Sequence, residues 1–426
     1  MTTLTTRTPV HFGYEGQIAA PTPTAPVPYW VLTALLLCLL QPAWTSFYVG
    51  SVRLTLYRCI LLPLTIPCSW NVLSATRGIQ RKTSDWFMLG FAILSVIALL
   101  TNRGTEGIQT AGILAVETLG GYCLARCCIR RPKDFQRFTK LLFWIVIYLL
   151  PFTTLECLRG VNSFWPGGRA IGARFGLNRA SGPFEHPILN GVFCGTILGM
   201  AWFCYPTKRR EGILATTRCV AICCAAMTSV SSGAMALLTS QTLLLVWNKA
   251  TARVPRRWLA LGILFGFAYV TVSMYSRRTP MTVALYYLTF NAETAYGRIF
   301  IWDGGVSEIA KHPFLGNGTG DWDHPTWMSS SMDNFWLYNG VVYGLPAAFS
   351  LISAGVTLAY KLCRRKWPRG SELDLCRRGW LCSFAGLSIG ASTVHLWNSS
   401  YVIFCVLLGC GVWMLEMPDS VRSAQS

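Results

Sequence analysis

Two stretches of the chain place arginines beside residues able to hold or move a proton. The first reads Asn178-Arg179-Ala180-Ser181-Gly182-Pro183-Phe184-Glu185-His186-Pro187. The second reads Tyr296-Gly297-Arg298-Ile299-Phe300-Ile301-Trp302-Asp303-Gly304-Gly305 and continues to Lys311-His312-Pro313-Phe314-Leu315-Gly316-Asn317-Gly318-Thr319-Gly320. Arginine offers a planar fork of donors that grips phosphate oxygens bidentately and keeps its charge at any working pH. Arg159, Arg169, Arg174 and Arg179 belong to the first region, and Arg277, Arg278, Arg298 and Lys311 to the second. For one arginine alone, headgroup contact or pairing with a carboxylate is an equally good explanation. The set is better explained by an anionic ligand. Asp333, in Met332-Asp333-Asn334, has no Lys or Arg within ten residues of it. It is therefore solvated, paired across the fold with an arginine such as Arg179, or placed to take a proton from a substrate hydroxyl.

The neighbouring residues have plainer roles to weigh. Pro187 suits a first helical turn, so His186 reads as a helix-start hydrogen bonder and Glu185 as a partner for Arg179. The glycines of 315–320 force a compact turn, and such turns more often reverse the chain than cradle phosphate. His324, among Asp321, Trp322, Asp323 and Trp327, fits either a sugar-contacting surface or an ordinary interfacial aromatic belt.

The elements that must position these residues are membrane helices. Of the 426 residues 52% are hydrophobic and 13% charged, about half the usual soluble share of roughly 25%. Mean hydropathy is +0.41. This is the composition of a polytopic membrane protein; it excludes a disordered chain, a collagen and a nucleic-acid-binding domain. Apolar runs give twelve candidate spans, near 30–49, 54–73, 84–100, 108–125, 141–158, 187–205, 212–230, 233–248, 258–275, 336–360, 380–397 and 400–417. Residues 1–28 read as a disordered cytoplasmic tail, 29–417 as the transmembrane domain and 418–426 as a second tail. The loops near 77–82, 126–140, 208–218, 249–257 and 361–378 carry 24 Lys and Arg, all on one side if the twelve spans hold. That side is the cytoplasm. The connections 159–186 and 276–335 then lie outside, where function should be sought. The net charge of +19 is thus a matter of topology. The 17 cysteines lie in apolar runs or at basic helix ends and read as free thiols, not as a metal site or a disulfide framework. Within the spans Arg58, Glu117 and Glu156 are the costly residues. Arg58 is expected to snorkel or pair with Glu117, and His395 to bond a backbone carbonyl. Ser231-Ser232-Gly233-Ala234 marks a tight turn between helices.

Three runs in order carry a resemblance: RASGPFEHPILNG before a helix, GRIFIWDGGVSEIAKHPFLGNGTG in a large outer loop, and DNFWLYNGVVYGLPA opening the next span. Together they resemble the O-antigen ligase and polysaccharide polymerase superfamily, over about 170–350 in detail. The resemblance implies an all-α, GT-C-like membrane fold of about twelve transmembrane helices with a large periplasmic loop, in the bacterial inner membrane. It implies a metal-independent, cofactor-free, inverting glycosyltransferase acting on undecaprenyl-diphosphate-linked glycans at the periplasmic face. Arg179 and Arg298 match the arginines that hold the donor diphosphate. Substrate contacts are then expected from Glu185, His186, His324, Arg174, Arg277 and Asn334. The ligases commonly carry a histidine where this chain has Asp333, so Asp333 becomes the candidate base, ahead of His324, and the polymerase branch fits better than the ligase branch. Partners on this reading are the lipid-linked glycan, membrane lipids, a flippase and a chain-length regulator, and no nucleic acid. A ligase transferring glycan to lipid A core is the first alternative. A polysaccharide transporter or flippase is the second, although no pair of matching broken helices favours it. A non-catalytic assembly scaffold is the third.

The charge bias predicts that a cysteine placed at Thr319, in a thiol-free background, reacts with an impermeant reagent added from outside intact cells. Labelling from the cytoplasmic face alone would overturn this topology.

Overall fold

The computed structural model describes residues 26–419, apart from 51, 169–171, 206–210, 255, 277–278, 281, 284–291 and 328–329. Arg169, Arg277 and Arg278 fall outside the described residues. The helices are α1 (Tyr29–Cys38), α2 (Leu56–Leu73), α3 (Thr83–Arg103), α4 (Gly107–Ala115), α5 (Gly121–Cys128), α6 (Pro132–Arg159), α7 (Pro187–Thr196), α8 (Leu198–Phe203), α9 (Glu211–Met227), α10 (Ser232–Ala250), α11 (Arg257–Tyr275), α12 (Ala292–Lys311), α13 (Phe335–Tyr343), α14 (Leu345–Arg364), α15 (Glu372–Ala391) and α16 (Ser399–Gly409). A π-helical turn, Val116–Gly120, joins α4 to α5. Two short antiparallel hairpins pair β1 (Phe47–Val49) with β2 (Val52–Leu54) and β3 (Ala173–Arg174) with β4 (Leu177–Asn178).

The described chain is mostly helical, with six stretches long and apolar enough to cross a bilayer. One of them, Thr83–Cys128, has 46 residues, too long for a single pass of about 20. At Gly104 the chain leaves helical geometry with φ 57°, and a Cβ on Gly107 would sit 2.6 Å from the Leu99 carbonyl. The stretch thus doubles back, and α3 and α4 run side by side where the sequence reading put two spans.

Several of the expected spans are not single helices, and three of the breaks bear on the site. The 30–49 segment is helical only to Cys38, because Pro42 cannot continue a helix and disfavours it in the residue before. The chain then pairs as β1–β2 about Gly50. The 187–205 segment breaks between α7 and α8. Buried Gln241 bridges that break, donating to the Gly195 carbonyl at 2.9 Å and accepting from the Gly199 N–H at 2.9 Å. Inside a membrane a broken helix survives only where such a group satisfies its freed backbone. The 336–360 segment breaks at Gly344, between α13 and α14.

That last break is filled by the glycine-rich turn. Asn317 and Gly318 donate to the carbonyls of Val341 and Val342 at 2.8 and 3.1 Å, and Leu345 donates to Pro313 at 2.8 Å. Arg103 and Asn102, at the α3 end, bond the carbonyls of Thr319 (2.7 Å) and Leu315 (3.0 Å). The turn is therefore a structural plug for the helix break.

One end of the bundle is laced by ion pairs. There Arg126 is held by Asp85 (3.0 Å) and Glu416 (2.7 Å), Arg130 by Glu416 (3.0 Å), and Arg365 by Asp419 (3.1 Å). Helices α3 and α15 start at this end and α5 ends there. The two long connections belong to the opposite end, where Trp44 donates to the Phe164 carbonyl at 2.8 Å and Arg103 meets Thr319. Between the ends, α16 is buried along its whole length.

Gly344 has φ 83°, and a Cβ there would collide with the Phe314 carbonyl. Gly344→Ala is expected to destabilise the protein by about 2–4 kcal/mol, combining left-handed strain with overpacking. Thermal unfolding in detergent measures it, and an unchanged melting temperature would contradict the plug.

Candidate functional site

The first arginine is placed by a carboxylate at the end of α6. Glu156 Oε1 accepts from the Ser181 N–H, the Ser181 hydroxyl and Asn162 Nδ2 at 2.9–3.1 Å, and Oε2 accepts from the Gly182 N–H at 2.8 Å. Gly182 adopts φ 56°, which lets both amides point at one side chain. The adjacent Ala180 N–H bonds Thr228 at 3.0 Å and its carbonyl accepts from Asn190 at 3.2 Å. Arg179 thus leaves a segment fixed on both sides. The hairpin before it turns through Phe175 and Gly176, both with positive φ, as a two-residue hairpin loop requires, and brings Arg174 alongside.

Helix α12 brings the second arginine. Gly304 and Gly305 let it lie close: a Cβ at either would stand 2.5 Å from Trp322 or from Leu337. Ile301, Trp322, Met332, Leu337 and Val341 form a small apolar core beneath. This seats Arg298, 7% exposed, with Nη2 donating to the Ser232 hydroxyl at 2.7 Å.

Asp333 lies within electrostatic reach of Arg298, Arg179 and Arg174, and among the described residues it makes no carboxylate–guanidinium contact. Its Oδ1 accepts from the Ser331 hydroxyl at 3.4 Å. Arg298 Nε and Nη1 and Arg179 Nε are buried with no hydrogen-bond partner among the described residues. Burial pushes the Arg298 guanidinium down to about 10, against the pull of Asp333 and with Arg174 adding to the fall. Burial and Arg174 bring Arg179 to about 10 as well, opposed by Asp333. Both remain cationic at neutral pH. Burial raises the Asp333 carboxyl above its ordinary value, and Arg298, the Ser331 hydrogen bond, Arg179 and Arg174 only partly offset it. Three guanidiniums face one carboxylate, an excess of positive charge with donors to spare.

The other candidates separate. Glu185 does not pair with Arg179, as the sequence led us to expect. It binds Arg53 at 3.1 Å and Asn398 at 2.7 Å, because the β1–β2 hairpin brings an arginine there that a spanning helix over 30–49 would not. His186 caps α7, its Nδ1 accepting from Ile188 at 3.2 Å. Asn334 likewise caps α13, accepting from Leu337 at 3.1 Å. His324 bonds Asp321 at 3.2 Å and the Pro325 carbonyl at 3.0 Å. Arg58 pairs with Glu117 at 2.8 Å, as anticipated. His395 does not bond a carbonyl through Nδ1; that atom is buried and unpartnered among the described residues. Ser232, read as part of a turn, is also the Arg298 acceptor, and Glu156 is the anchor of the Arg179 loop. Neither role has a local signal in the sequence.

No known family model matches the chain, and no curated protein matches it.

Folding raises the Asp333 pKa, so this group's stabilising contribution is complete below about pH 4, near its unfolded value, and is lost as pH rises through the folded value. Asp333→Asn is therefore expected to match or exceed the native melting temperature at pH 7.5, the difference shrinking towards pH 4. A lower melting temperature at pH 7.5 would mean that the carboxylate stabilises the arginines more than burial costs it.

Proposed function

We propose that the protein is an inverting glycosyltransferase that extends glycans from an undecaprenyl-diphosphate-linked donor. The observation that carries this reading is buried Arg298 and half-buried Arg179, each with buried guanidinium N–H groups unpartnered among the described residues, beside a carboxylate of raised pKa. A diphosphate diester carries one ionised oxygen on each phosphorus. The site's excess positive charge and open donors match that anion. The fit extends to the reaction. An acceptor hydroxyl attacks the anomeric carbon, the bond from that carbon to the diphosphate oxygen breaks, and the electron pair leaves on the diphosphate. Negative charge grows where Arg179 and Arg298 sit, so they stabilise the transition state more than the ground state. Asp333 takes the hydroxyl proton. A carboxyl raised toward the working pH is a stronger base than an ordinary one while still ionised, and such assistance is worth roughly 10²–10⁴-fold.

In this reading the acceptor is a second lipid-linked repeat, the protein lies in the bacterial inner membrane, and the site faces the periplasm. Membrane-compatible helices and the opposite placement of basic ends and long connections support that orientation.

Forked binding sets a charge-type test. Arg179→Lys and Arg298→Lys are each expected to lower turnover of a purified lipid-linked repeat nearly as much as the alanine variants, by about 10²-fold or more. Near-native turnover of both lysine variants, with folding verified by gel filtration, would rule out direct diphosphate binding.

A further inference from the structure

A cavity of about 260 Å³ opens where Phe335 begins α13, two residues beyond Asp333. Its lining is unlike the arginine site. Arg58 and Glu117 meet there at 2.8 Å, so their charges cancel, and Tyr57 adds a 2.9 Å hydrogen bond to the same carboxylate oxygen. Glu117 stands on the π-helical turn, a distortion that often marks a functional position in a helix. Asn398 is held at φ 48°, rare for a side-chain-bearing residue, by Arg58 (3.1 Å) and Glu185 (2.7 Å). Aromatic rings supply much of the wall. The His395 ring lies 4.0 Å from that of Tyr338 and stacks on Trp397 at 14°. Its Nδ1 is the unpartnered atom noted above, and a buried polar atom without a partner is a cost that a ligand can remove. The rim includes exposed Thr110, on the outer face of α4.

We propose that this cavity binds a single neutral sugar ring. Aromatic faces take the C–H side of a pyranose, while Asn339, Asn398 and His395 can meet its hydroxyls. The size, just below the range of about 300–1,000 Å³ for drug-sized ligands, suits one ring and not an oligosaccharide. Other occupants fit worse. An anion would face Glu117, whose partner Arg58 is already engaged at 2.8 Å, and an acyl chain would leave the ion pair and His395 Nδ1 against hydrocarbon. The assignment of this ring to the acceptor glycan rests on the transferase reading; the binding of a sugar does not.

The probes are methyl β-glucoside and the methyl glycoside of N-acetylglucosamine, observed by saturation-transfer NMR on the full chain in a zwitterionic, sugar-free detergent. Saturation transfer to at least one probe is expected in the native protein and, undiminished, in Arg298→Ala. Thr110→Trp, which blocks the rim, and Tyr338→Leu, which removes a wall, should each reduce it by about fivefold or more, the effect of a lost buried contact of roughly 1 kcal/mol. Gel filtration checks each variant, and either cavity variant alone decides if the other misfolds. The proposal is overturned by no transfer to either probe, by undiminished transfer in a folded cavity variant, or by transfer lost in folded Arg298→Ala. Failure of the transferase reading would look different, as sugar binding intact with no turnover of lipid-linked donor.

Discussion

A buried guanidinium held by one serine hydroxyl is the constraint on which the rest of this architecture turns. Arg58 is buried about as deeply as Arg298 and Arg126 more deeply, and each is matched by a carboxylate at 2.7–3.0 Å. Arg298 meets Ser232 and nothing further through Nε and Nη1 among the described residues. Leaving such donors unpaired costs a fold more than almost any surface feature can return. The surroundings must therefore hold the arginine in place by other means. Gly304 and Gly305 seat α12 on Trp322 and Leu337, and Glu156 locks the segment that carries Arg179. Asp333 supplies nearby negative charge with no ion-pair contact among the described residues.

Irregular backbone follows the same economy. Where α7 gives way to α8, Gln241 restores the lost hydrogen bonds; where α13 gives way to α14, the 315–320 turn does so. An aromatic-lined cavity and a cationic site then share the stretch of chain around Asp333 and Phe335.

How much of this was readable in advance differs from residue to residue. Arg179, Arg298 and Asp333 stand far apart in the chain but were singled out by type and context, and the structure brings them into one electrostatic group. The Arg58–Glu117 pair was legible because an intramembrane charge demands a partner and few candidates exist. Glu185 was misread because the choice between Arg179 and Arg53 depends on whether 30–49 is a helix. Pro42 was the local sign that it is not.

Hydrophobic runs by themselves determined that the chain is helical and suited to a membrane. These follow from the solvent each segment must meet, which depends on composition over some twenty residues. Only the tertiary structure decided which arginine keeps free donors, which glutamate anchors a loop, and where a cavity remains. Those outcomes depend on contacts between residues such as Arg298 and Ser232 or Glu156 and Gly182, whose meeting is set by how helices cross, not by what lies beside them in the chain.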